Sequence, residues 1–138
     1  GKTTALRDMI RLFSERGYRV GVADERGEIS GDGEFDLGPC SDVITGLSKA
    51  ESAMLLLRGM NPQIIAMDEI TQSADADAIR ELCCCGVELL ATAHARNADE
   101  LRQRRVFAEL LDTGAFKYAL SIRGAGSTRS YKLEGLYV

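Results

Sequence analysis

The stretch QIIAMDEI, Gln63 to Ile70, decides the fold. Its apolar residues Ile64, Ile65, Ala66 and Met67 run without polar alternation into two adjacent carboxylates, Asp68 and Glu69. A short unbroken apolar run reads as a strand buried on both faces, the kind found in parallel sheets covered by helices. In such sheets ligands bind outside the carboxyl ends of the strands, so the acids stand where chemistry is expected. Asp68 then holds a magnesium ion, directly or through water, and Glu69 orients and deprotonates an attacking water, the work of a Walker B element. A strand that ends in a solvated acidic turn is the plain alternative, and the residues upstream weigh against it.

The segments on either side repeat the alternation of strand and helix. Upstream, Thr4 to Glu15 carries Leu6, Met9, Ile10 and Phe13 at helical spacing, with Gly17 as a stop signal. Tyr18 to Ala23 is a short strand ending at the charged cluster DERGEI, Asp24 to Ile29. Residues 30–48 are dense in Gly, Asp, Ser and Pro and read as a loop with weak local structure. Lys49 to Met60 and Ala74 to Cys85 read as helices, and Val87 to Thr92 as another strand. Ala98 to Thr113 reads as one helix, and Ala115 to Arg123 with Ser130 to Val138 as a terminal hairpin joined across GAGS. The expectation is a single α/β domain over residues 1–138 with a mostly parallel sheet. Asp24, Asp68 and Thr92 sit at the carboxyl ends of its strands.

The first residues, Gly1, Lys2, Thr3 and Thr4, match the end of the phosphate-binding pattern GxxxxGK[ST], without its front half. A tetrapeptide of this kind arises by chance, but a helix follows it directly, and a helix N-terminus favours an anion. In this reading the backbone of Gly1 to Thr4 wraps phosphate, Lys2 reaches the β- and γ-phosphates, and the Thr3 hydroxyl ligates magnesium. A further motif is LLATAHA, Leu89 to Ala95, which contains the chain's only histidine, His94. Lone histidines are usually structural. Here the order of elements gives the strand before His94 the place of the one that ends near the γ-phosphate in nucleotide-hydrolysing folds. Acids and an arginine after a strand, as in DERGEI, form a solvated rim unless further context gives them a role.

Composition excludes several classes. Apolar residues make up 45% of the chain and charged ones 28%, with only 2 prolines, which is the make-up of an ordinary globular domain. A net charge of −4 and a pI near 5.1 offer no basic stripe for a phosphate backbone, so nucleic acid is not an expected partner. No apolar run approaches the roughly 20 residues that span a bilayer. No signal peptide precedes the motif, and the expected location is cytoplasmic. Cys83, Cys84 and Cys85 are consecutive on a helix, where neighbouring side chains diverge by about 100° and cannot converge on one metal. Cys40 lies far from them in the loop, so neither a zinc site nor a disulfide framework is signalled.

The succession GKTT, VADERGEI, KAESAMLLLRGMNPQIIAMDEI and ATAHARNADEL resembles the stage III sporulation protein AA family and, more broadly, the secretion ATPases of type II and type IV systems. The resemblance runs over most of the chain. It implies a RecA-like P-loop NTPase core in which Asp24, Glu25, Arg26 and Glu28 form an acidic box, with Glu25 and Glu28 catalytic and Arg26 binding nucleotide. It also implies that Asp68 and Glu69 are the Walker B pair, His94 the histidine box, and Arg58 an arginine that precedes the Walker B strand.

By the same resemblance, ATP and Mg²⁺ are the expected cofactors and a hexameric ring the expected assembly, coupled to secretion or channel proteins at a membrane without inserting into it. For a sporulation protein that membrane would be approached from the mother-cell side. The family's upstream glycine-rich turn, its strand and an N-terminal domain are not in this sequence. The chain therefore reads as the C-terminal ATPase domain beginning within Walker A, and loss of that strand would leave Val87 to Thr92 with an unpaired edge. Arg102, Arg104 and Arg105 are candidates for an arginine lent to a neighbour, although a solvated helix face accounts for them better. Rival functions are a P-loop kinase for a small molecule, which would need an arginine-rich lid, and a nucleotide-binding scaffold without turnover, which need not keep a base at Glu69. A strand-exchange type DNA motor is disfavoured by the acidic balance and the lack of a basic, aromatic groove.

Overall fold

The computed structural model describes residues 1–136. Helix α1 (Lys2–Glu15) leads to strand β1 (Val20–Asp24), then β2 (Ser41–Thr45), α2 (Lys49–Met60), β3 (Ile64–Met67), α3 (Ser73–Cys84) and β4 (Glu88–Ala91). Two short helices, α4 (Ala98–Gln103) and α5 (Arg105–Asp112), precede a hairpin of β5 (Tyr118–Arg123) and β6 (Ser130–Gly135). The first four strands form one parallel sheet in the order β2-β1-β3-β4, and the hairpin is a separate antiparallel pair. The last two residues of the expected final strand, 137 and 138, lie outside the described residues.

Both faces of the sheet are covered, as the unbroken apolar runs require. Val20, Val22, Ile64 and Ala66 pack with Leu6 and Ile10 of α1, while their neighbours Ala23, Ile65 and Met67 pack with Leu56, Ile79, Leu82 and Leu110 on the other side. The period of two along β1 and β3 thus divides one hydrophobic run between two cores. Each fully buried Ile or Leu contributes about 1.5–3 kcal/mol. Helix α2 begins where the Ser48 side chain accepts a hydrogen bond from the Glu51 amide at 3.2 Å and ends at Asn61, whose φ is +50°. A Cβ on Gly21 would lie 3.2 Å from Leu56 Cδ1, so glycine lets α2 close on β1.

Two expectations are corrected. Residues 41–45 form β2 where only loop was expected, because SDVIT is a half-exposed edge strand without apolar alternation whose order comes from backbone pairing with β1. The helix expected over Ala98 to Thr113 is broken at Arg104, which is extended with φ −87° and ψ 126°. The break lets Ala98 join Leu111 and Leu136 in one cluster while Phe107 and Leu110 enter another. At the break Glu100 accepts from the Arg96 amide and from Arg104, and the Arg96 bond, more than the arginine charges, holds its carboxyl below the usual range.

Among the described residues β4 pairs only with β3. Its other edge faces a cleft of about 230 Å³ lined by Leu89 and Leu90, by Ala5 and Met9 of α1, and by Leu120 and Ile122 of β5. The cysteine run closes α3: Cys83 is half-buried against the core, while Cys84 and Cys85 are exposed. Burial pushes the Cys83 thiol above its usual range, with the neighbouring Cys84 and Glu88 adding to the shift. Limited alkylation at neutral pH is therefore expected to label Cys84 and Cys85 before Cys83, which peptide mapping would read directly; prior labelling of Cys83 would contradict the packing.

Candidate functional site

The strands β1, β3 and β4 run parallel and bring Asp24, Asp68 and Thr92 to one end of the sheet. Asp24 is 1% exposed. Its Oδ1 accepts from the Ile29 amide at 3.0 Å, and its Oδ2 accepts from the Ser30 amide at 2.9 Å and the Ser30 hydroxyl at 2.7 Å. Both oxygens are thus engaged in folding the loop after β1 back over the strand end. Gly27 makes the tight turn with φ +72°, where a Cβ would meet Asp32 Oδ1 at 2.6 Å. Arg7 of α1 holds the loop from the other side, donating to the carbonyls of Ile29 at 2.7 Å and Glu28 at 2.8 Å while lying 3.7 Å over the Phe35 ring.

The loop so fixed presents Glu25, Arg26 and Glu28 to a small crevice of about 60 Å³ shared with Asp68, Glu69 and Lys49. Lys49, whose side chain is 13% exposed, forms an ion pair with Glu25 at 3.1 Å and ties the acidic loop to the first turn of α2. At the adjoining strand end, Thr92 Oγ1 donates to Asp68 Oδ1 at 2.7 Å and accepts from the Glu69 amide at 2.9 Å. The Glu69 amide also approaches Asp68 Oδ1 at 3.1 Å.

The start of α1 meets the segment that follows β4. Gly1 is its N-cap, and the first turn carries no acidic residue. Lys2 Nζ lies within hydrogen-bonding distance of His94 Nδ1, at 2.7 Å. The Arg129 guanidinium packs beside Gly1, and its buried Nε lacks a hydrogen-bond partner among the described residues. Thr3 is half-buried and Thr4 exposed in the first turn.

The structure therefore brings Lys2 against His94, and gathers Glu25, Arg26, Glu28, Asp68 and Glu69 around one crevice. Arg58 is not among them, being exposed in the last turn of α2 just before β3 begins. Arg102, Arg104 and Arg105 are exposed and pair with Asp99, Glu100 and Glu109 within their own helical segment. Sequence reading missed Arg7 and Lys49 altogether and used Thr92 only as a strand end. Their partners lie 21–24 positions away, and nothing local marks such pairs.

In fold, this is an α/β domain with a four-stranded parallel sheet and an antiparallel hairpin, an architecture shared with a secretion ATPase. The chain superposes on the VirB11 ATPase from the Brucella suis type IV secretion system, solved in complex with sulphate, with a TM-score of 0.72 over 98% of this chain and 45% of that one. Identity there is 14%, so the likeness is one of architecture. The family described as Sporulation stage III, protein AA matches residues 1–137, and the chain belongs to that family. Stage III sporulation protein AA of Bacillus subtilis strain 168 is 34% identical over 134 residues, 91% of this chain and 44% of that protein. The protein ycf45 of Porphyra purpurea is 31% identical over 124 residues, covering 86% of this chain and 22% of its own length. The chain thus spans less than half the length of these relatives. No helix among the described residues is long and apolar enough to cross a membrane.

Proposed function

We propose that the chain is the ATP-hydrolysing part of a ring-forming motor that serves a secretion or channel assembly during sporulation. The observation that carries this reading is the meeting of Lys2 and His94, 92 positions apart, at the start of α1, with Thr92 just before His94 bonded to Asp68 and to the Glu69 amide. On binding, the Lys2 ammonium leaves His94 Nδ1 for phosphate oxygens, and His94 is freed to sense the terminal phosphate. The amides of Gly1 to Thr4 hold the phosphates and Arg26 approaches the nucleotide from the acidic loop.

The residues present fit a magnesium ion held chiefly by water and phosphate. Among the described residues no cluster of three carboxylate, His or Cys side chains is available to cage a cation, while Asp68 Oδ2 and the Thr3 hydroxyl are without hydrogen-bond partners. One or two protein oxygens completed by phosphates and water are what magnesium ordinarily takes. Bound there, the ion would offset charge developing on the phosphates. Glu69 receives the proton of the attacking water as its oxygen bonds to the γ-phosphorus and the bond to the β–γ bridging oxygen breaks, releasing ADP and phosphate. Glu25 and Glu28 line the same crevice and support the water or its proton; Lys49 keeps Glu25 in place.

The test is nucleotide binding and phosphate release by the full-length protein, with and without magnesium. Magnesium-dependent ATP binding with phosphate release is expected. ATP binding without release would favour an assembly scaffold, and phosphate transfer to a small molecule would favour a kinase.

The cleft between β4 and β5 suits one more strand. We propose that a segment preceding Gly1 fills it and completes the phosphate-binding loop, because the cleft is mostly apolar, β4 has no partner on that side among the described residues, and Lys2 of α1 lines the same cleft. A form extended upstream to include that segment is expected to melt several degrees higher and to aggregate less than residues 1–138 alone. Equal melting temperatures would count against a strand in the cleft.

A further inference from the structure

From the hydrogen bonds at the end of β4 we infer that Thr92 is a positioning residue for the magnesium-binding acid, an inference that rests on the reading of Asp68 given above. The Thr92 hydroxyl is committed in both directions: it donates to Asp68 Oδ1 at 2.7 Å and accepts from the Glu69 amide at 2.9 Å. A hydroxyl has one proton to donate, so this pair of bonds fixes its rotamer. The backbone carbonyl of the same residue accepts from the Ile70 amide at 3.2 Å, so Thr92 meets residues 68, 69 and 70 in succession.

The consequence lies in which Asp68 oxygen remains. Oδ1 already receives the Thr92 hydroxyl and the Glu69 amide at 3.1 Å, leaving Oδ2 as the oxygen without a partner among the described residues. A carboxylate with one oxygen pinned presents the other in a single direction, which is how a second shell of hydrogen bonds tunes a metal ligand. The same hydroxyl holds the Glu69 amide, so it sets the spacing between the ion-binding oxygen and the residue that takes the proton. Neither β3 nor β4 does this alone. The strands pair through Met67 and Ala91, one residue earlier on each, and the backbone ladder stops before the acids. Beyond the ladder, Thr92 carries the tie with its hydroxyl to residues 68 and 69 and with its carbonyl to the Ile70 amide.

Valine has the shape of threonine without the hydroxyl. In the full-length protein, Thr92→Val is expected to raise the magnesium concentration for half-maximal tightening of ATP binding by about tenfold, the usual cost of removing a hydrogen bond that orients a metal ligand. Its affinity for ATP in the presence of a chelator should match the parent protein, since Lys2 and the α1 amides are untouched, and Thr92→Ser should restore the magnesium response. Should the valine variant fail to fold, Thr92→Ala, which adds no new methyl contact, carries the same comparison. A parental magnesium response in the folded Val or Ala variant would overturn the inference, as would failure of Ser to rescue, or an equal loss of affinity with and without magnesium. If the parent protein itself binds ATP with no dependence on magnesium, the reading of Asp68 as an ion ligand falls, and the role of Thr92 falls with it.

Discussion

Glu69→Gln in the full-length protein is expected to keep ATP affinity and to lose turnover by at least about a hundredfold, the scale on which a general base acts. The side chain is exposed into the crevice while its amide is fixed by Thr92 and by Asp68 Oδ1, so substitution of the carboxylate leaves the local backbone in place. Lys2→Ala behaves in the opposite way. It removes the ammonium at the start of α1 and is expected to abolish measurable nucleotide binding at concentrations that saturate the parent protein, since charge-assisted bonds to phosphate are among the strongest available. Equilibrium binding of a fluorescent nucleotide together with phosphate release separates the two. Equal loss of binding in both variants would count against the assigned roles, and undiminished turnover in Glu69→Gln would remove Glu69 from the chemistry.

Asp24→Ala carries the largest expected effect on stability. Asp24 is buried, and its carboxylate satisfies two backbone amides and a hydroxyl in the loop that follows β1. Each orphaned buried donor costs about 1–3 kcal/mol, so the variant is expected to lose about 2–5 kcal/mol of folding free energy. That is a large part of the 5–15 kcal/mol or so that holds a domain of ordinary stability. The damage extends to the site, because the same loop carries Glu25, Arg26 and Glu28. Denaturant unfolding of Asp24→Ala beside Glu28→Ala measures this: the first should shift the midpoint strongly and the second little. A loss below about 1 kcal/mol in Asp24→Ala would mean that water replaces the carboxylate.

What the sequence allowed and what it hid follow from where the physical signal resides. The strand Ile64–Met67 was legible because a fully buried parallel strand must be apolar throughout, and the acids after it mark the end of that burial. Helix α1 was legible from periodicity, and α2 and α3 were read as helices within a residue or so of their observed bounds. Strand β2 was not, since an edge strand takes its order from the backbone of β1 and its side chains remain largely in solvent. The break at Arg104 was hidden because the apolar residues before and after it keep helical spacing while entering different clusters.

The site divides in the same way. Lys2, Asp68, Glu69 and His94 were named from local motifs, and the structure brings Lys2 to His94 and Asp68 to the strand end beside them. The residues that hold those groups in place were invisible, because Arg7, Lys49 and Thr92 act on partners distant in sequence. Asp24 was grouped with its acidic neighbours by resemblance, yet unlike exposed Glu25 and Glu28 it is buried with both oxygens engaged by the loop.

The most direct examination of the account is a structure of the full-length protein determined with magnesium and a non-hydrolysable ATP analogue. The account predicts the terminal phosphate between Lys2 Nζ and the His94 ring, with the ion on the side of Asp68 Oδ2 and the Glu69 carboxylate facing the position of the attacking water. A nucleotide bound elsewhere on the chain, with Lys2 still donating to His94 Nδ1, would contradict it.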